Sequence, residues 1–208
     1  MPVLRFRFEK LGKTAYLSHL DVMRTFQRAF VRADMPLKHS EGFNPHPKLS
    51  IAQPLQLGCE SVCEALDAEL LRLPVDKDPA AALSAVLPAG LRVTAAYAPE
   101  MKPGAVAYAD WAVTFAGEEQ AARAAAILGA GPLPVEKKTK RGVSTLDIAP
   151  HVEVLGREGE KLTLRLRAAE PTVNTGDVAK ALCAQDPALR PLLSRRLALR
   201  NQNMAEFH

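Results

Sequence analysis

The segment from Tyr16 to Leu70 constrains the fold most, because it joins a strongly amphipathic helix to a stiff loop and two strands. Between Ser18 and Arg32 the side chains repeat with a helical period, which puts apolar residues on one side and arginines on another. The apolar residues are Leu20, Met23, Phe26, Phe30 and Val31, and the arginines are Arg24, Arg28 and Arg32. Ser18 is a favourable N-cap, and Asp21 supports the first turn. The pattern predicts a helix over residues 18–32 that exposes a cationic row.

The loop after this helix, residues 40–48, holds His46 between Pro45 and Pro47. Each proline restricts its own backbone and that of the residue before it. We therefore expect a loop of defined shape without a regular hydrogen-bond ladder. Because an ordinary connection does not need this stiffness, we interpret the helix and the loop together as a binding surface.

The first half of the chain has an order of elements that identifies a fold class. Residues 3–8 alternate, with Leu4, Phe6 and Phe8 opposite Arg5 and Arg7, as in a half-exposed strand. The patterns predict further strands over 49–54, 63–71 and 91–97, and a second helix over 79–87. The resulting order, β-α-β-β-α-β, is that of a ferredoxin-like fold.

The second half predicts a similar order after a boundary at residues 98–104, which contain two prolines and a glycine. Strands are expected over 106–115, 133–138, 145–148, a hairpin at 152–167 and 192–200, with helices over 118–128 and 174–184. We therefore predict an α+β protein of two tandem ferredoxin-like halves. The N-terminal domain would cover residues 1–98, the C-terminal domain 105–200, and a loose tail 201–208.

Composition limits the class of protein. The net charge of +4 over 208 residues permits an anionic partner such as nucleic acid without requiring one. No apolar region follows the start of the chain as in a signal peptide, and no apolar run is long enough to span a membrane. Three cysteines fit a reducing compartment better than a disulfide framework. These features predict a cytoplasmic protein with no membrane partner.

Four motifs carry a resemblance to a known family. They are Tyr16 to Asp21 (YLSHLD), Gly42 to Lys48 (GFNPHPK), Pro54 to Gly58 (PLQLG) and Glu136 to Gly142 (EKKTKRG). Over nearly the whole chain the sequence resembles the bacterial radical-SAM-linked proteins, an uncharacterised domain found beside or fused to a cobalamin-binding radical S-adenosylmethionine protein. The resemblance implies an accessory role to such an enzyme, and it transfers no reaction and no catalytic residue. The tandem order is also similar to repeat-RNA endonucleases of CRISPR systems, but fold alone does not define function.

The cationic and loop residues suggest a site for RNA. Guanidinium groups suit phosphates, so the arginine row would hold the backbone, while the loop would form the specific end of a groove. The expected contacts are Arg24, Arg28, Arg32, Phe43, Asn44, His46, Lys48, Lys137, Lys138, Lys140 and Arg141. Solvated surface charge explains both basic groups about as well. Phe43 is either an exposed stacking platform or a plug that buries the loop against the first helix, and we favour the plug.

Three functions remain open. The leading hypothesis is a non-enzymatic module that binds RNA, with tRNA and rRNA as the candidates, and presents it to a radical SAM partner. A metal-independent RNA endonuclease would use His19 and His46 as an acid–base pair. A protein-only adaptor would dock the radical enzyme without touching nucleic acid.

Neither a metal nor a cofactor is expected. Cys59 and Cys63, with His39 and His46, have the ligand types of a zinc site, but their spacing is looser than that of a zinc knuckle. A three-cysteine cluster motif, a phosphate-binding glycine loop and a dinucleotide fingerprint are all missing from the sequence.

Overall fold

A computed structural model describes residues 2–139 and 142–208, without the side chains of Lys138 and Thr139. The chain divides into two compact units. The first unit contains residues 1–105 and 206–208, and the second contains residues 106–205. Ten strands and four α-helices occur in the part that the structure describes, so the α+β class is confirmed.

The first unit is a four-stranded antiparallel sheet with two helices. Its elements are β1 (Val3–Lys10), α1 (His19–Arg32), β2 (Leu49–Ile51), β3 (Glu60–Glu69), α2 (Pro79–Ser84) and β4 (Leu91–Tyr97). The strands lie in the order β4-β1-β3-β2, and each neighbouring pair is antiparallel. Strand β3 begins three residues earlier than the sequence pattern predicts.

Helix α1 forms where the sequence predicts it. The Ser18 hydroxyl accepts a hydrogen bond from the Asp21 backbone N–H at 3.2 Å, which caps the first turn. The buried side of α1 meets β1 through two aromatic pairs, Phe26 with Phe8 at 4.8 Å and Phe30 with Phe6 at 5.3 Å between ring centroids. Burying each phenylalanine contributes about 1.5–3 kcal/mol, so these four rings anchor the core of the first unit.

The opposite face of β1 carries a charged residue that is also buried. Arg5 is fully buried and donates Nε and Nη2 to the two carboxylate oxygens of Asp67 on β3, at 2.6 and 2.7 Å. Its Nη1 donates to the His208 carbonyl at 2.6 Å, and its guanidinium carbon lies 4.2 Å from the centre of the Phe207 ring. The end of the tail, expected to be loose, is therefore held against β1.

One glycine joins the end of β1 to the start of β4. Gly90 has a φ of +96°, a region that favours glycine, and its carbonyl accepts from the Leu11 N–H at 2.8 Å. A Cβ atom at position 90 would lie 2.6 Å from the Leu11 carbonyl oxygen. The approach of the two backbones therefore depends on the missing side chain.

The second unit has its own four-stranded sheet and an inserted hairpin. Its elements are β5 (Tyr108–Thr114), α3 (Glu118–Gly129), β6 (Pro134–Thr139), β7 (Gly142–Asp147), β8 (Val152–Glu158), β9 (Lys161–Arg167), α4 (Thr175–Gln185) and β10 (Leu193–Arg200). The sheet order is β10-β5-β9-β8, with antiparallel neighbours. Strands β6 and β7 pair only with each other among the described residues, so they form a separate ribbon.

Candidate nucleic-acid interface

The loop after α1 is closed by hydrogen bonds across its base. The Ser40 N–H donates to the His46 carbonyl at 2.8 Å, and the His46 N–H donates to the Ser40 hydroxyl at 3.0 Å. Below them, His39 and Pro47 form a single antiparallel bridge. The proline-braced segment from Ser40 to His46, called the 40–46 loop here, thus has a defined shape without an extended ladder.

The tip of this loop presents its side chains to solvent. Phe43, Asn44 and His46 are all exposed, and Phe43 has a relative exposure of 109%, so the core of the first unit does not bury its ring. The expectation that Phe43 plugs the loop against α1 is therefore wrong. The buried apolar residues between α1 and the loop are instead Met35 and Leu37.

Two lysines at the base of the loop share one carboxylate. The Lys48 Nζ lies 3.2 Å from each carboxylate oxygen of Glu69, and the Lys38 Nζ lies 3.6 Å from one of them. The hydrogen bond from Lys48 holds the pKa of Glu69 below its usual value, and the charge of Lys38 acts in the same direction. Two ammonium groups therefore share one carboxylate at the base of the loop, while the loop itself carries the exposed carboxylate of Glu41.

The three arginines of α1 have different environments. Arg24 lies 3.7 Å from the carboxylate of Asp21, and both side chains are more than half exposed. Arg28 is exposed and has no hydrogen bond or ion pair within the described residues. Arg32 donates to the Val86 carbonyl, just after α2, at 2.7 Å. Arg24 and Arg28 are therefore available to a ligand, whereas Arg32 helps to hold α2.

The two histidines of the endonuclease hypothesis lie at opposite ends of α1. His19 opens α1, beside the start of β3, where the Gly58 N–H donates to the Ala15 carbonyl at 2.9 Å. The 40–46 loop lies beyond the end of β3, because the Lys38 N–H donates to the Glu69 carbonyl at 2.8 Å. A helix of 14 residues separates these ends by about 21 Å. This arrangement does not support a His19–His46 catalytic pair.

The basic cluster of the second unit is only partly described. Lys137, on β6, donates from Nζ to the Asp177 carboxylate at 2.5 Å and to the Thr172 carbonyl at 3.0 Å. Asp177 also belongs to the capping box of α4, so Lys137 joins the hairpin to that helix and is not a free phosphate contact. Lys140, Arg141 and the side chain of Lys138 lie outside the described residues.

The cysteines and histidines of the zinc hypothesis differ in their exposure to solvent. Cys59 and Cys63 are both buried, whereas His39 and His46 are exposed. No group of three or more histidine, cysteine, aspartate or glutamate side chains that could hold a metal ion occurs in residues 2–139 and 142–208. Cys63 lies in the interior of β3, where cysteine acts as a small apolar side chain.

Two residues assigned to the apolar side of α1 are exposed. Leu20 and Val31 have relative exposures of 62% and 79%. The buried side is formed instead by Val22, Phe26, Ala29 and Phe30, and the helical period puts Leu20 and Val31 away from it. Exposed Tyr16 and Leu57 belong to segments that are joined by the Gly58–Ala15 hydrogen bond, so large apolar side chains also lie at the start of α1.

The sequence interpretation missed a pocket in the second unit. Tyr108, His151, Arg165 and Arg167 line it, and none of them was a candidate. The run Lys161 to Arg167 (KLTLRLR) alternates cations with leucines, a signal that both arginines share one face of a strand. Nothing local in the sequence indicates that Tyr108 and His151 reach the same place.

Among the described residues, no helix combines the length and the apolar character that crossing a membrane requires.

Comparisons with known proteins identify the family and the general fold. A family model described as "Uncharacterized protein conserved in bacteria (DUF2344)" matches residues 4–185. No curated protein matches the chain. A solved structure described as "Crystal Structure of a Cbf5-Nop10-Gar1 Complex" is similar with a TM-score of 0.50 and 11% identity, over 94% of this chain and 48% of that one.

Two further structures are similar at 11% identity. One is described as "Crystal structure of the archaeal box H/ACA sRNP Nop10-Cbf5 complex", with a TM-score of 0.45 over 93% of this chain and 46% of that chain. The other is described as "Structure of H/ACA RNP bound to a substrate RNA containing 2'-deoxyuridine", with a TM-score of 0.44 over 96% and 48%. The chain spans about half the length of these proteins, and at this identity the likeness concerns the fold alone.

Proposed function

This chain belongs to the uncharacterised bacterial family DUF2344, and we propose that it is a non-enzymatic module that binds RNA through its first unit. The 40–46 loop would contact unpaired bases, and the exposed arginines of α1 would contact the phosphate backbone. The observation that carries the proposal is the fully exposed ring of Phe43 at the tip of a braced loop.

An exposed phenylalanine on a stiff loop is suited to stacking. Leaving a large apolar ring in water forgoes about 1.5–3 kcal/mol that burial would contribute. Hydrogen bonds at the base of the loop and the prolines fix the position of the ring before a ligand arrives. Unpaired bases stack on aromatic side chains, and each stacked base contributes about 1–3 kcal/mol.

The neighbouring polar groups match the other parts of a nucleotide. Asn44 and His46, both exposed, can donate and accept hydrogen bonds at base edges. Lys38 and Lys48 place two ammonium groups at the base of the loop, where they share the carboxylate of Glu69. Arg24 and Arg28 add exposed guanidinium groups on α1, and guanidinium groups bind phosphate through paired hydrogen bonds.

We base the proposed fold of each unit on its strand order, and the proposed RNA and partner protein on the family resemblance. Each unit has a strand order consistent with a ferredoxin-like half, the second carrying the β6–β7 hairpin as an insertion. The RNA would be tRNA or rRNA, and the partner that receives it would be a cobalamin-binding radical SAM protein. The likeness to the Cbf5 complex adds no site residue to this proposal.

Fluorescence anisotropy with a labelled single-stranded RNA of about 20 nucleotides and with a tRNA mixture tests the proposal. Phe43→Ala should weaken binding about 5- to 150-fold, the loss expected for one stacked base, without changing the unfolding midpoint. Tyr16→Ala, which removes another exposed aromatic ring of the first unit, is the matched control and should bind like the wild type. RNA binding that is undetectable, or equal in the wild type and Phe43→Ala, would refute the proposal.

A protein-only adaptor is the second candidate, because α1 exposes apolar side chains beside its arginines. Leu20 and Val31 lie on α1, and Tyr16 lies just before it, and all three are exposed. Arginine and aromatic residues are enriched at the cores of protein interfaces. Co-purification of the radical SAM protein that resists nuclease treatment and is lost in Leu20→Glu, together with no RNA affinity, would favour the adaptor.

A further inference from the structure

The sheet of the second unit has a polar face built by two neighbouring strands. Tyr108 on β5 pairs with Arg167 on β9, and two residues further along Asp110 pairs with Arg165. Because side chains alternate along a strand, these four residues share one face. The leucines on either side of Arg165, Leu164 and Leu166, are fully buried on the opposite face.

An ion-pair network on this face holds two of its arginines in place. Asp110 accepts from Arg165 Nε at 2.8 Å and from Arg200 Nε, on β10, at 2.5 Å. Burial alone would raise the pKa of Asp110, but the hydrogen bonds from Arg165 and Arg200 outweigh it and hold that pKa below its usual value. Asp110 is therefore ionised at neutral pH, and both guanidinium groups are held in place.

A pocket of about 240 Å³ lies over this network, lined by Tyr108, His151, Glu153, Arg165, Arg167 and Met204 among others. Three of the lining side chains keep unused hydrogen-bonding groups. Arg167 donates only its Nε, to the Glu170 carbonyl at 3.2 Å. Within the described part of the chain the Tyr108 hydroxyl and the His151 ring make no hydrogen bond, and the charge of His151 interacts with the carboxylate of Asp147.

The charge of the pocket favours an anion. Within residues 2–139 and 142–208, Arg165 and Arg200 pair with two carboxylates, those of Asp110 and Glu153, and Arg167 pairs with none. Arg167 supplies the charge that no carboxylate balances. Its two free Nη atoms are arranged as in the paired hydrogen bonds that guanidinium groups make with phosphate.

We propose that this pocket binds one nucleotide, with its phosphate on Arg167 and His151 and its base against Tyr108. A tyrosine ring supplies a stacking surface, and polar tips beside it can bond the base or ribose. The volume is just below the range of about 300–1,000 Å³ typical of small-ligand pockets, so it suits a single nucleotide at most and not a duplex. The proposal is independent of the 40–46 loop.

Two sources could supply this ligand. A free nucleoside monophosphate and the phosphorylated terminal nucleotide of an RNA chain present the same base, ribose and phosphate. The experiment must therefore compare mononucleotides with short oligonucleotides that differ only in their terminal phosphate.

Isothermal titration of the full chain with AMP and UMP, alongside adenosine and inorganic phosphate, tests the pocket. Both nucleotides should bind at least tenfold more tightly than adenosine or phosphate. Arg167→Ala should weaken AMP binding at least tenfold, and Tyr108→Leu should remove the advantage of AMP over phosphate. Arg157→Ala is the matched control, because Arg157 is an exposed arginine on a strand and also donates to a backbone carbonyl, that of Gly159. This variant should bind AMP as tightly as the wild type.

A measurement on the wild-type chain keeps the test independent of variant folding. Addition of AMP should shift the amide resonances of Tyr108, His151 and Arg167 and leave those of the 40–46 loop unchanged. No binding at millimolar nucleotide, equal binding of phosphate and AMP, or shifts confined to other residues would overturn the proposal.

The oligonucleotide arm identifies the source. A 5′-phosphorylated trinucleotide that binds more tightly than both AMP and the same trinucleotide without its phosphate supports the pocket as a site for an RNA end. A phosphorylated trinucleotide that does not compete with AMP supports it as a site for a free nucleotide. Phe43→Ala should leave AMP binding unchanged, so failure of the RNA-binding proposal and failure of this one are distinguishable.

Discussion

Arg5 and Asp67 form a two-point ion pair across β1 and β3, with donor–acceptor distances of 2.6 and 2.7 Å, and the arginine is fully buried. The guanidinium group also donates to the carbonyls of His208 and Met101, at 2.6 and 2.8 Å. A buried charge is tolerated only when its hydrogen-bonding groups are matched in this way. The pair therefore specifies how residues 206–208 lie on β1.

Removing the carboxylate should destabilise the first unit. Asp67→Ala leaves the Arg5 charge buried beside two carbonyls, and breaking such a pair costs about 3–5 kcal/mol. Urea unfolding at pH 7 measures the loss. The matched control is Arg92→Ala, which breaks an exposed ion pair with Glu9 on the same sheet and should cost less than about 1 kcal/mol. Equal losses in the two variants would contradict the structural role of Arg5.

Salt should weaken RNA binding, and Arg28 should account for part of that dependence. For single strands, log K falls with log salt concentration by about 0.7 for each phosphate contacted. Arg28→Glu should lower affinity for every RNA sequence and reduce this slope by about 0.7, the share of one phosphate contact. Arg190→Glu makes the same charge change at an exposed arginine of the second unit and should leave the slope unchanged. A slope near zero in the wild type would argue against phosphate contacts.

The Asp110 network should make the second unit sensitive to acid. Because the pKa of Asp110 is lowered in the folded chain, its ion pairs stabilise the fold fully above the unfolded value of about 3.9. That stabilisation is lost as pH falls through the folded pKa. Asp110→Asn should cost about 2–3 kcal/mol at pH 7, the usual loss for hydrogen bonds to a charged group.

Denaturant unfolding of the wild type and Asp110→Asn between pH 7 and pH 2 checks the sign. The difference in unfolding free energy should stay constant down to about pH 5 and shrink below about pH 4. A difference that grows on acidification would show that Asp110 does not act as an ionised partner.

RNA should remain intact when it is incubated with the protein in EDTA. Acid–base cleavage without a metal needs two groups at one phosphodiester, and His19 and His46 lie at opposite ends of a 14-residue helix. Denaturing gel electrophoresis after prolonged incubation measures cleavage. Fragments that form with the wild type and disappear with His46→Ala would show that the histidines act together after all.

Local patterns in the sequence predicted most of the secondary structure. The alternation of Leu4, Phe6 and Phe8 identified the buried face of β1, and Ser18 identified the start of α1. These features depend on residues within a few positions of one another, and period and capping report such short-range order well.

The site was harder to predict because its properties depend on distant residues. Arg5 is buried by Phe207 and His208, about two hundred positions away. Lys137 forms an ion pair with Asp177. The basic residues beside Lys137 in the sequence give no indication of this pair. Phe43 is exposed, whereas Met35 and Leu37 earlier in the same connection are buried. Each outcome is set by tertiary packing, which no local pattern contains.

The contact between Gly90 and the Leu11 carbonyl has an evolutionary consequence. Even an alanine at position 90 would force two backbones apart at the point where the first and last strands of the first unit meet. The close approach of the backbones disfavours any residue with a side chain at position 90, whatever ligand a family member binds. An alignment of the family should therefore keep glycine at this position in members whose binding loops have diverged.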